Sequence, residues 1–160
     1  MDLVINWHIT EACNYECFYC FAKWQKEGQR ELLHSKHRIQ QLIQEISLLP
    51  SILNNKSGCS FTGVRLNLVG GETFLYEHQI LDIIEAAKKN HFKLSAITNG
   101  SLLNDELITI IANEFSMIGF SIDSTHSESN LRIGRAIKNI PIETDKICSH
   151  IQKLRTINPN

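Results

Sequence analysis

The sequence predicts an α/β fold, a partial (β/α) barrel with about four βα units present and the last strands missing. Three observations point there. β-Branched runs alternate with amphipathic helical stretches along the whole chain, a pattern of parallel strands joined by right-handed crossovers. Each predicted strand ends in polar or glycine-bearing residues, which gathers ligand chemistry on one rim. The 160 residues fall short of the ~250 that close an eight-fold barrel, so about half of one can be built.

Leu3 to Ile9 is β-branched and aromatic and reads as the first strand, running into a loop that carries Cys13, Cys17 and Cys20. From Lys36 to Leu49, the residues Ile39, Leu42, Ile43, Ile46 and Leu49 recur at helical spacing. Ser35 is placed to cap that helix and Pro50 to stop it. Residues 51–63, rich in Ser, Asn and Gly, read as an irregular insertion. Val64 to Val69 alternates as the second strand and runs into Gly70-Gly71-Glu72, ahead of a helix carrying Ile80, Leu81, Ile83, Ile84 and Ala87. The third strand is Phe92 to Thr98 with a helix over Asp105 to Asn113, and the fourth is Met117 to Ile122 with a helix at about Thr144 to Ile157. Residues 1–160 are expected to form one domain. Four βα units, about half of a closed barrel, would leave an open sheet edge beyond the fourth strand, a surface that favours pairing with another chain.

A composition of 42% hydrophobic and 21% charged residues, with 3 Pro and 8 Gly, excludes disordered and collagen-like chains. With 16 Lys+Arg against 17 Asp+Glu, no general basic field exists for a nucleic acid polymer or an anionic membrane, and any anionic ligand must be held locally. No apolar run reaches the length of a membrane span, and the Met1-Asp2-Leu3-Val4 start is unlike a signal peptide; the expected location is the cytoplasm.

Of 5 cysteines, Cys13, Cys17 and Cys20 crowd into one short segment, poor geometry for disulfides and in a reducing compartment the mark of a metal site. Cys59 and Cys148 read as ordinary thiols. Zinc normally takes four ligands, and the nearest candidate for a fourth, His8, lies on a strand. Three thiolates suit a 4Fe–4S cluster with one open iron, because a short loop can hold three corners of a cube and present the fourth outward.

The spacing Cys13-x3-Cys17-x-Tyr19-Cys20 after the first strand, with Gly70-Gly71-Glu72 after the second, resembles the radical S-adenosylmethionine (SAM) superfamily. That resemblance implies a partial barrel of the radical SAM type, with SAM chelated at the open iron and cleaved by one electron to a 5′-deoxyadenosyl radical. It implies a SAM site of Tyr19, Gly70, Gly71, Glu72, Ser121 and Arg135. The Gly70-Gly71-Glu72 backbone and carboxylate would receive the amino group, Ser121 the ribose and Arg135 the carboxylate. Thr73 stands where the superfamily usually has Pro.

The resemblance narrows. Asn6-x-His8-x-Thr10-x2-Cys13-Asn14-Tyr15-x-Cys17-x2-Cys20-Phe21-Ala22-Lys23-Trp24, Arg65-Leu66-Asn67, Thr98-Asn99-Gly100-Ser101-Leu102, Ser121-Ile122-Asp123-Ser124 and Ile133-Gly134-Arg135 are similar to the viperin family, its prokaryotic members in particular. This implies an antiviral nucleotide dehydratase that converts CTP, UTP or GTP to its 3′-deoxy-3′,4′-didehydro analogue. The steps implied are abstraction of the 4′ hydrogen, loss of the 3′ hydroxyl as water and one further reduction. Asn6 and Asn67 would face the ribose and Arg65 the phosphates, with no catalytic side chain beyond the cluster and with flavodoxin or ferredoxin as electron donor. Two other readings stay open: a radical SAM enzyme acting on a nucleobase or peptide, and a non-catalytic iron–sulfur and SAM-binding chain that assembles with a longer homologue.

Overall fold

Strands β1 (Asp2–Thr10), β2 (Gly63–Gly70), β3 (Lys93–Thr98) and β4 (Phe115–Phe120) pair in sequence order, every pair parallel. The computed structural model describes residues 1–20 and 31–159. Helices α1 (Lys36–Ser57), α2 (Glu77–Lys89) and α3 (Asp105–Glu114) make the crossovers, and a short α4 (Ser127–Arg132) and α5 (Thr144–Ile157) follow β4. Parallel neighbours in sequence order with right-handed crossovers put the helices on one face of the sheet. Among the described residues the sheet stays open, with β1 and β4 as its edges, and no helix is long and apolar enough to cross a membrane.

The period of two in each strand decides what the two faces carry. On β2, Val64, Leu66 and Leu68 are buried against Ile39 and Ile43 of α1 and Ile80 and Ile83 of α2. Each such side chain contributes about 1.5–3 kcal/mol by leaving water. The intervening residues, Arg65, Asn67 and Val69, turn to the face without helices, as do Asn6 and His8 of β1.

Helix α1 departs from the expectation that Pro50 stops it and that 51–63 is irregular: it runs through Pro50 to Ser57. The true stop is Gly58, whose φ of +63° lies in the left-handed region that ends helices. The last turns are held from outside, because Asn54 donates Nδ2 to the Phe61 carbonyl at 2.9 Å and accepts the Phe61 N–H at 2.8 Å. Tertiary bonds of this kind outweigh one missing helical N–H. Strand β4 begins at Phe115, directly after α3, because Phe115 is itself a core residue. Ser121 and Asp123 therefore fall in the loop beyond the strand rather than at its end.

Candidate functional site

The cysteine loop is gripped by backbone on two sides. Beyond β2, Gly71 donates its N–H to the Thr10 carbonyl and Glu72 its N–H to the Ala12 carbonyl, both at 2.9 Å. A Cβ on Gly71 would sit 2.0 Å from the Ala12 oxygen, so only glycine permits this approach. On the other side, Glu16 N–H bonds the Gly134 carbonyl and Phe18 N–H the Ile133 carbonyl, both at 3.1 Å. A further clamp comes from Glu31, which accepts the Thr10 hydroxyl at 2.8 Å and the Glu11 N–H at 2.6 Å.

Held this way, Cys13, Cys17 and Cys20 line one cleft of about 390 Å³, together with His8, Tyr19, Gly70, Gly71, Ser121 and Arg135. Among the described residues no group of three His, Cys, Asp or Glu converges on a point that could hold a single metal ion. Three free thiols that line one cleft supply the donor set of a polynuclear cluster with one open corner. Burial raises the Cys13 thiol above its ordinary range, against the opposing hydrogen bond from the Tyr15 N–H.

Across the cleft, Arg135 has a nearly buried guanidinium that pairs with Asp123 Oδ2 at 2.7 Å and donates to the Ser121 carbonyl. Its carbon lies 5.5 Å from the centre of the Tyr15 ring. Tyr19 donates its hydroxyl to the same Asp123 oxygen at 2.8 Å. Partial burial and that carboxylate hold the Tyr19 phenol above its ordinary pKa.

Glu72 does not line the cleft. It is 0% exposed, and its carboxylate accepts the Thr98 hydroxyl at 2.6 Å, the Asn99 N–H at 2.8 Å and the Phe74 N–H at 3.1 Å. Burial is the largest influence and raises its pKa, while these three donors oppose the rise. The carboxylate expected to meet a ligand ammonium also ties the ends of β2 and β3 together. Asn99 passes the connection on, donating Nδ2 to Asn14 Oδ1, while Asn14 donates to Ser101 Oγ, each at 2.8 Å. Spacing had marked Thr98 and Asn99 as rim residues and left Asn14 and Asp123 without roles; their polar character beside cleft residues was the available signal.

The residues expected to face a nucleotide are outside the cleft lining but on the same helix-free face of the sheet, Asn6 and Asn67 one strand repeat before His8 and Val69. Asn67 donates to Asn6 Oδ1 at 2.8 Å and accepts the Ser95 hydroxyl at 2.9 Å, a ladder across β1, β2 and β3. Arg65 Nε is buried there with no hydrogen-bond partner. Phe21, Ala22, Lys23 and Trp24 lie outside the described residues.

The chain is similar to S-adenosylmethionine-dependent nucleotide dehydratases. That of Psychrobacter lutiphocae is 53% identical over 99% of this chain and 53% of its own length. That of Fibrobacter sp. is 38% identical over 98% of this chain and 44% of its own. The chain thus spans about half the length of these curated relatives. Among solved structures, Streptococcus suis SuiB bound to its precursor peptide SuiA superposes with a TM-score of 0.69 at 15% identity, over 98% of this chain and 31% of SuiB. Native anSMEcpe with bound AdoMet and Kp18Cys peptide gives 0.65 at 16% identity, over 98% of this chain and 40% of that one. These likenesses concern the fold. The model of the Radical SAM superfamily matches residues 7–158, a span from within β1 to beyond α5, and on that match the chain belongs to this superfamily, whose cofactors are a 4Fe–4S cluster and SAM.

Proposed function

We propose that this chain serves a SAM-dependent nucleotide dehydratase, acting on CTP, UTP or GTP to form the 3′-deoxy-3′,4′-didehydro analogue in antiviral defence. The observation that carries the reading is the 53% identity, over 99% of this chain, with a relative of that name. Residues 1–160 would be its radical SAM core portion. Cys13, Cys17 and Cys20 would hold the cluster, which when bound supplies the electron for SAM cleavage. The Gly70-Gly71 backbone lines the cleft and would receive the SAM amino group, Tyr19 and Ser121 would flank SAM, and Arg135 offers a guanidinium to its carboxylate. Glu72 completes the same turn, and its carboxylate, anchored by the Asn99 N–H, would join in receiving that amino group. On the same face of the sheet, the Asn6–Asn67 amide pair offers donors and acceptors to a ribose, and Arg65 a planar cation to phosphates. Flavodoxin or ferredoxin would be the electron donor, and the reduced thiols suit the cytoplasm.

The test is anaerobic incubation of the reconstituted, reduced chain with SAM and each of CTP, UTP, GTP and ATP. It is run alone and mixed with a full-length relative whose cluster cysteines are alanine, so that any product depends on this chain's cluster. Release of 5′-deoxyadenosine together with a nucleotide lighter by one water supports the reading. SAM cleavage that ignores all four nucleotides in both arms would move the substrate to another class.

A further inference from the structure

We infer that Asp123 is a positioning residue of the SAM site, one carboxylate oxygen setting both Arg135 and Tyr19 at the cleft. Its Oδ2 lies 2.7 Å from Arg135 Nη1 and 2.8 Å from the Tyr19 hydroxyl oxygen. These partners come from distant parts of the chain, Tyr19 from the cysteine loop and Arg135 from the segment after α4, so the carboxylate joins two walls of the cleft. Asp123 is itself anchored, because Ser121 donates its N–H to the Thr98 carbonyl at 2.9 Å and so docks the start of its loop on β3.

The Arg135 side chain is 8% exposed, and a guanidinium that far from water needs a counter-charge. Asp123 supplies it. A guanidinium is planar, so bonds to Asp123 and the Ser121 carbonyl fix the plane in which the remaining N–H groups lie. Donors ordered before a ligand arrives do not lose that freedom on binding. Competition between Asp123 and a ligand carboxylate is the weaker account, because the guanidinium has five N–H donors and can serve both.

The inference rests on the SAM site and not on the identity of the second substrate, so a protein indifferent to every nucleotide leaves its test intact. Cluster-loaded, unreduced protein is titrated by equilibrium dialysis with SAM and with decarboxylated SAM, for wild type, Asp123→Ala, Arg135→Ala and the double variant. Asp123→Ala should raise the SAM Kd about tenfold and leave the Kd for the decarboxylated ligand within about twofold. In the Arg135→Ala background it should add no more than about twofold, the share left to Tyr19, the signature of a residue acting mainly through Arg135. Asp123→Asn, which keeps one acceptor oxygen, should fall between wild type and Asp123→Ala. Equal weakening toward both ligands, an undiminished effect in the Arg135→Ala background, or tighter SAM binding would overturn the inference. So would loss of iron or of the folded state in both Asp123 variants, which would make Asp123 a folding residue.

Discussion

The Glu72 carboxylate accepts the backbone N–H of Asn99 at 2.8 Å, and this bond ties the end of β2 to the end of β3 beneath the cleft. Its other oxygen takes the Thr98 hydroxyl and the Phe74 N–H. Thr98 cannot turn its hydrogen elsewhere at no cost, since its own oxygen accepts the Gly100 N–H at 3.0 Å. Glu72→Gln would point an amide N–H₂ at one of these donors. One buried donor left unmet costs about 1–3 kcal/mol, so the variant should be less stable than wild type by about 2 kcal/mol in urea denaturation. Wild-type stability in Glu72→Gln would show that the three bonds are not holding the strand ends.

Pro50 tests how α1 is sustained. An interior proline removes one N–H and crowds the preceding turn, at a cost of about 3 kcal/mol, partly offset by the stiffness it gives the unfolded chain. Because α1 continues to Ser57 regardless, Pro50→Ala should stabilise the protein by about 1–2 kcal/mol on the same scales, read as a higher urea midpoint. A destabilised variant would mean that the helix needs the bend that proline imposes.

These two residues also show what a sequence conveys here. Local rules carried far: Ser35 caps α1 by accepting the Arg38 N–H at 3.4 Å, strand alternation separated Leu66 from Asn67, and the three cysteines share one cleft. Pro50 was misleading because a local stop signal was outweighed by the Asn54 bonds to Phe61, a contact that spacing does not reveal. Glu72 is legible as part of the turn, while its three buried bonds are not. The residues that gather at a strand end follow from topology, but the direction of a side chain after two glycines depends on donors supplied by another strand. Asp123 had no visible role for the same reason, since Tyr19 and Arg135 meet it only in the fold.

His150 on α5 links stability to pH. It is buried, with Nδ1 lacking a hydrogen-bond partner. Burial first, then Lys146 and Lys153, lower its pKa, while Asp105 acts in the opposite sense. The unfolded chain therefore takes up the proton first, near the ordinary histidine value of about 6.5. The stabilising effect of a neutral His150 is present above that pH and is lost as the pH falls toward the lower folded value. Melting temperatures of wild type should decline on acidification from pH 7 more steeply than those of His150→Leu. Parallel curves for the two proteins would count against this linkage.

Gly71 and Gly134 each pack against the backbone of the cysteine loop, and substituting them separates loop geometry from general stability. A methyl at Gly71 would lie 2.0 Å from the Ala12 oxygen, and one at Gly134 would lie 2.3 Å from the Glu16 oxygen. Both obstacles are backbone, so the loop itself must move. Gly134 also has a φ of +79°, which costs a residue with a side chain about 1–2 kcal/mol more. Gly58 is the control, with a φ of +63° and nothing within 4 Å of an added methyl. Gly58→Ala should lower stability by about 1 kcal/mol through conformation alone and leave iron content at the wild-type level. Gly71→Ala and Gly134→Ala should each lose more than about half of the iron taken up in anaerobic reconstitution, because three thiolates must be presented together for the cluster to form. If all three variants retained iron equally, the two backbone strips would be supports of the fold alone. Iron loss confined to Gly71→Ala and Gly134→Ala would show that the approach of β2 and of the segment after α4 sets the positions of the thiols.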